Sequence, residues 1–93
     1  MVVSTIFITL AKFRERFTHS IVARSDRAFS KLEKDGVKIL ARYWTLGRYD
    51  AVVVTEAPDE KSIMKAFMRW GDIVSTETLV AVTREEAVKL IEK

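Results

Sequence analysis

Between Val3 and Leu10 the chain alternates in character. Ile6, Ile8 and Leu10 fall on one side, with Thr5, Phe7 and Thr9 on the other, and most of the stretch is β-branched. That pattern predicts a first strand. From Phe13 to Asp35 the period lengthens. Phe17, Ile21, Ala28 and Leu32 recur at helical spacing, while Arg14, Arg16, Arg24, Asp26 and Lys31 supply a wet side. One helix over that whole span is about 33 Å long, well beyond a typical strand. A break is therefore expected at Thr18-His19-Ser20, three weak helix formers in a row. Gly36 ends the helix.

Two apolar runs, Val37 to Leu46 and Tyr49 to Glu56, flank Gly47-Arg48 and predict a hairpin. Gly47 suits the first central position of a type II′ turn, which requires a positive φ. In that register Leu46 faces Tyr49, Trp44 faces Ala51 and Arg42 faces Val53; Tyr43 with Val52 and Ala41 with Val54 lie on the other side. Pro58 fits the first turn of the next helix, and Asp59 and Glu60 favour its positive end. Ile63, Ala66, Phe67 and Trp70 form the buried stripe, and Gly71 stops it. Ile73 to Val82 reads as a fourth strand. Thr83 with Glu86 makes a capping box that opens a last helix, on which Ala87, Leu90 and Ile91 share a face. The order is βαββαβ plus a helix. This predicts an α+β, ferredoxin-like fold with a four-stranded antiparallel sheet. Residues 1–93 form one domain, with a core over 1–82 and a C-terminal extension over 83–93.

Helices in such a fold cover one sheet face, and the other is ordinarily polar. Here neither side of the hairpin is. One side carries Ile39, Ala41, Tyr43, Val52 and Val54. The other carries Leu40, Trp44, Leu46, Tyr49, Ala51 and Val53, interrupted by Arg42 and Lys38. A patch of that kind calls for a partner, so a homodimer is expected, with Leu40, Arg42, Trp44, Leu46, Tyr49 and Val53 as candidate interface residues. A short chain also gains from docking on a second copy.

Composition narrows the picture. With 48% apolar residues the 93-residue chain has enough for a packed core. It has no cysteine, which removes disulfides, thiolate metal sites and cysteine nucleophiles and fits a reducing cytoplasm. The apolar amino terminus lacks a preceding basic residue and is too short to span a membrane. Net charge is +3, dispersed along the chain, which falls short of a nucleic-acid footprint. Ile6-Phe7-Ile8 is similar to an RNA-stacking strand, but Ala51 and Val53 stand where a third strand would need rings.

The stretch Tyr43-Trp44-Thr45-Leu46-Gly47-Arg48-Tyr49-Asp50, followed by Ala57-Pro58-Asp59-Glu60 and Ser75-Thr76-Glu77-Thr78-Leu79, resembles the GYD-domain family, named for the Gly, Tyr and Asp of the turn. The resemblance runs from about Val37 to Leu79. It implies pairing as a dimeric α/β barrel, in which two sheets face each other, and it implies no established biochemical role. The helix after Val82 extends beyond the family pattern.

The candidate chemistry is sparse. Tyr49 and Asp50 at a strand entrance offer a phenol and a carboxylate for ligand or proton. The structural alternative, which turn chemistry favours, has Tyr49 packing over Gly47 and Asp50 accepting hydrogen bonds from the turn backbone. His19, the only histidine, offers one acid or base near neutrality but no metal site, since no carboxylate pair at ligand spacing accompanies it. No phosphate loop or nucleotide fingerprint is present, and no cofactor is expected. Two readings follow. One is a small homodimeric module that holds a small apolar ligand between sheet and helices or serves a regulatory role. The other is a cofactor-independent monooxygenase-like enzyme of the dimeric α/β barrel group. His19, Tyr43, Trp44, Tyr49 and Asp50 are the ligand-site candidates for both.

Overall fold

In the computed structural model, which describes residues 4–14, 18–69, 71 and 73–92, the expected order of elements is present. The elements are β1 (Thr5–Phe13), α1 (His19–Lys34), β2 (Lys38–Trp44), β3 (Ala51–Ala57), α2 (Glu60–Arg69), β4 (Val74–Ala81) and α3 (Arg84–Ile91). All pairings are antiparallel, in the order β2-β3-β1-β4. The fold is ferredoxin-like, with an added C-terminal helix. Phe17 and Trp70, expected on apolar stripes, lie outside the described residues, as does Val3.

Local chemistry explains most boundaries. Thr18, expected within a break, is the N-cap of α1: it is extended, and its hydroxyl accepts from the Ile21 amide at 3.2 Å. The helix therefore starts where its predecessor was expected to falter, and β1 continues to Phe13. Gly36 takes φ +93°, and Val37 N donates to Leu32 O across the helix end at 3.0 Å. Pro58 lies one step outside α2. Asp59 is the cap instead, its carboxylate accepting from Ser62 N at 3.1 Å. Thr83 accepts from Glu86 N at 3.1 Å and opens α3.

The core lies between the helices and one face of the sheet. Phe7, Phe29, Leu32, Val37, Val53 and Ile63 are its larger buried members. Phe29 escaped the sequence reading, although it sits three residues before Leu32 and eight after Ile21. A bulge at Leu40 shifts the β2–β3 register, so that Ile39 pairs with Thr55 and Ala41 with Val54. Ile39 therefore moves from its expected place beside Ala41 to the helix side, where it packs on the core. From Ala41 to Trp44 the expected register is present.

The pleat assigns the faces unexpectedly. Register puts Phe7, Thr9 and Ala11 of β1 with Thr55, Val53 and Ala51 of β3 under the helices. Thr9 and Thr55 are both 0% exposed. The more aliphatic row, Ile6, Ile8 and Leu10 with Val52 and Val54, points the other way and is only half-buried.

Candidate functional site

That second face carries a continuous apolar row across three strands, β3, β1 and β4. Ile8 lies between Val54 on β3 and Leu79 on β4, and Leu10 lies beside Val52. Ala41 and Tyr43 extend the row across β2. Tyr43 is 61% and Leu79 44% exposed. Four strands at their usual spacing and length give a face of roughly 20 by 25 Å, about 500 Å². Lys12, Lys38, Glu56 and Glu77 fall on this face by register, so its apolar part is smaller and within the ordinary range of the largest apolar patch on a monomer.

The interface candidates read from the hairpin are corrected by this arrangement. Val53 is 4% exposed within the core, so it has no surface to offer a partner. Arg42 and Trp44 pair with Val53 and Ala51 and so share the helix-side face. Leu40 sits at the bulge, 44% exposed, and Leu46 is fully exposed at the loop tip. The bulge displaces only the start of β2; Arg42, Trp44 and Val53 were paired as expected, and theirs is the face that the helices cover. The β1 row was legible as an alternation, but the sequence did not say which side the helices would cover.

At one end of the open face stands the loop that carries Gly47, Tyr49 and Asp50. Gly47 has φ +105°, the conformation that its place in the turn anticipates. Thr45 closes the loop, with its amide donating to Asp50 O at 2.9 Å and its hydroxyl to Tyr49 O at 2.6 Å. Asp50 then ties the hairpin to the neighbouring strand. Its amide donates to Ala11 O at 2.8 Å, and its carboxylate accepts from Phe13 N at 2.8 Å. Lys12 Nζ is 4.0 Å from the same oxygen. Asp50 therefore extends the β1–β3 ladder past its last residue pair.

Tyr49 reaches further. Its hydroxyl donates to Glu77 Oε1 on β4 at 2.9 Å, and the Arg48 guanidinium lies 5.6 Å from its ring centre. Glu77 pairs with Leu10, so the bond bridges the loop to the open face. The phenol is held above its ordinary range because its O–H donates to the Glu77 carboxylate. Partial desolvation and the adjacent negative charge push the same way, and Arg48 opposes them.

On the helix side a cavity of about 60 Å³ lies among Phe13, Phe29, Trp44, Val53, Phe67 and Val74. Trp44 stacks on Phe13 with ring centres 5.6 Å apart. Arg42 sits 4.0 Å over the Phe29 ring and donates to Asp26 at 3.0 Å. Of the ligand-site candidates, Tyr43 and Trp44 line this cavity. His19 is exposed at the start of α1, away from the cavity wall. Asp50 is committed to Phe13, and Tyr49 to Glu77. The five residues are not brought together. An apolar cavity that takes benzene measures about 150 Å³, so this one is too small for an aromatic substrate.

The curated relative named "Glutamine synthetase and cystathionine beta-lyase binding protein", from Thermus thermophilus, is 31% identical over 77 residues, which make up 78% of this chain and 81% of that protein. Among solved structures, PH0061 superposes with a TM-score of 0.56 at 16% identity, over 86% of this chain and 53% of that longer one. FFRP-DM1 superposes with a TM-score of 0.51 at 19% identity, over 86% of this chain and all of that one. At such identities these two likenesses speak for the fold alone. The cofactor-independent oxygenase SnoaB of Streptomyces nogalater has a TM-score of 0.48 at 10% identity, over 87% of this chain and 93% of that one. That overlay is too loose to support monooxygenase chemistry. The family model for the GYD domain matches residues 7–91, so it takes in most of β1, all of α1 and α3, the helix expected to lie beyond the family pattern, together with the loop, whose Gly47, Tyr49 and Asp50 each have a structural task. The chain belongs to the GYD domain family.

Proposed function

We propose that this protein is a regulatory binding module of the cytoplasm that works as a homodimer and engages other proteins, metabolic enzymes among them. The observation that carries the reading is the inverted pattern of β1, with threonines under the helices and Ile6, Ile8 and Leu10 on the open face. Covering a half-exposed aliphatic side chain stabilises by about 1 kcal/mol. Several such residues approach the cost of association, which is of order 4–15 kcal/mol. Pairing sheet on sheet, in the manner of a dimeric α/β barrel, covers the whole row at once. The Thermus thermophilus relative is named for binding two enzymes, which supports a protein partner over a small substrate. The small helix-side cavity favours at most a compact aliphatic group, and the enzyme alternative has neither His19 nor Asp50 at its wall.

The test is sedimentation and native mass spectrometry of the wild type beside Ile8→Glu, with binding of purified glutamine synthetase measured in parallel. The expected result is a wild-type dimer, a folded Ile8→Glu monomer, and enzyme binding by the wild type. A wild-type monomer at high micromolar concentration overturns the dimer, and a bound small mass on a clean oligomer redirects the reading to a ligand.

A further inference from the structure

Small side chains build the helix-side cavity. Ala11 and Ala51 pair across β1 and β3, and both are short, so the floor of the sheet sinks beneath α1 at that point. α1 brings Ser25 and Ala28 to the same wall, again small. The main core around Phe7, Leu32 and Ile63 is consequently separate from the cluster of Ala11, Ala51 and Val74. Native interiors hold few voids larger than a water molecule, which makes a space of about 60 Å³ in so short a chain notable.

The wall is apolar except towards one end. Among the described residues, Arg42 is the only charged side chain that lines it. Its guanidinium lies 4.0 Å over the Phe29 ring, and the side chain is 36% exposed. Trp44, two residues on along β2, is 49% exposed. Ile21, Ala51, Val53 and Val74 are buried. The cavity therefore reaches solvent at the Arg42 end and is dry at the other. Nor is the charge of Arg42 used up. One of its nitrogens donates to Asp26, which is 61% exposed and stands outside the wall. An ion pair so exposed is held weakly, and a guanidinium has further N–H donors for a second carboxylate.

We propose that this cavity binds a short aliphatic monocarboxylate, with its hydrocarbon end among Ala11, Ala28, Ala51 and Val74 and its carboxylate on Arg42. Size sets the chain length. An apolar cavity of about 150 Å³ takes the ring of benzene, so in proportion about 60 Å³ takes about two or three carbons. That is the tail of propionate, butyrate or isobutyrate. Charge sets the head group, because an amine would meet Arg42 with no acid in the described wall to hold it. The site lies within one protomer, on the opposite side of the sheet from the open face, and it requires neither the homodimer nor a protein partner.

The test titrates nitrogen-15-labelled protein with sodium acetate, butyrate and hexanoate, and with neutral butyramide, at fixed pH and ionic strength. Butyrate is expected to shift the amide signals of Ser25, Ala28, Ala51 and Val74 saturably. It should bind about tenfold or more tighter than butyramide, the smallest factor that a hydrogen bond to a charged group gives. Acetate, with two fewer methylenes to bury, should bind about tenfold more weakly than butyrate, and hexanoate, too long for the space, should also be weaker. Arg42→Gln is expected to abolish the preference for butyrate over butyramide, and Ala28→Leu, which fills the space from α1, to abolish binding of both. The absence of saturable shifts overturns the proposal, as does equal binding of butyrate and butyramide. Affinity that keeps climbing to hexanoate overturns it too, because that marks a general apolar surface. Should Ala28→Leu fail to fold, Arg42→Gln still decides: full selectivity for the carboxylate in that variant overturns the assignment. The titration is repeated on Ile8→Glu. Unchanged affinity there supports a site built within one protomer whatever the state of the sheet dimer, and loss of binding overturns it.

Discussion

Asp50, one of the residues that give the family its name, is predicted to be a stability residue. Its carboxylate accepts a hydrogen bond from Phe13 N at 2.8 Å, just past the last β1–β3 pair, Ala11 with Ala51. A hydrogen bond to a charged group contributes about 1.5–3 kcal/mol net. The Lys12 contact, at 4.0 Å and with side chains 59% and 37% exposed, adds at most a few tenths of a kcal/mol after solvent screening. Asp50→Ala removes the acceptor and is expected to cost about 2 kcal/mol. Asp50→Asn keeps a neutral acceptor and is expected to cost about 1 kcal/mol. For a domain of this size, 2 kcal/mol lowers Tm by about 8–16 °C. Urea unfolding at one fixed protein concentration, so that association does not shift the baseline, measures both variants. Asp50→Ala within about 0.5 kcal/mol of the wild type refutes the reasoning, and loss of partner binding in such a stable variant assigns Asp50 to recognition instead.

The Tyr49 phenol is raised in the folded state, so its contribution to stability is complete below the ordinary phenol value of 10.0. That contribution is lost as pH rises through the higher folded value. Absorbance titration should show one late-ionising phenol in the wild type, and Glu77→Gln should bring it earlier; unchanged titration removes the Tyr49–Glu77 bond from the account. Thr55 is fully buried, and its hydroxyl has no hydrogen-bond partner among the described residues. The near-isosteric Thr55→Val is therefore expected to stabilise by about 1 kcal/mol, and destabilisation in urea contradicts it. Leu90→Asp alters a side chain that is 80% exposed in the protomer. It should leave dilute-protomer unfolding unchanged while lowering the assembly state or the Tm at high concentration, and no change in either identifies α3 as a loose tail.

The sequence by itself determined the elements, because capping, turn chemistry and hydrophobic period act within a few residues. Thr18, Gly36, Asp59 and Thr83 each mark an element boundary, and Gly47 takes the positive φ that its turn position anticipates. The order of those elements was enough for the fold class. Tertiary structure decided the faces. The bulge at Leu40 moves Ile39 to the helix side, and no local signal announces one extra residue in a strand of apolar residues. Nor does alternation say which row of β1 the helices cover. Phe7, Thr9 and Ala11 are the row that lies under the helices, where Phe7 joins the core and the Thr9 hydroxyl meets that of Thr78 at 3.0 Å across β1 and β4. The sheet buries Thr9 and Thr55 on one face and leaves an apolar row half-buried on the other. The partners of Tyr49 and Asp50 were likewise invisible, since Glu77 and Phe13 lie 28 and 37 residues away along the chain. Short-range rules shaped each element, and only long-range packing assigned its sides.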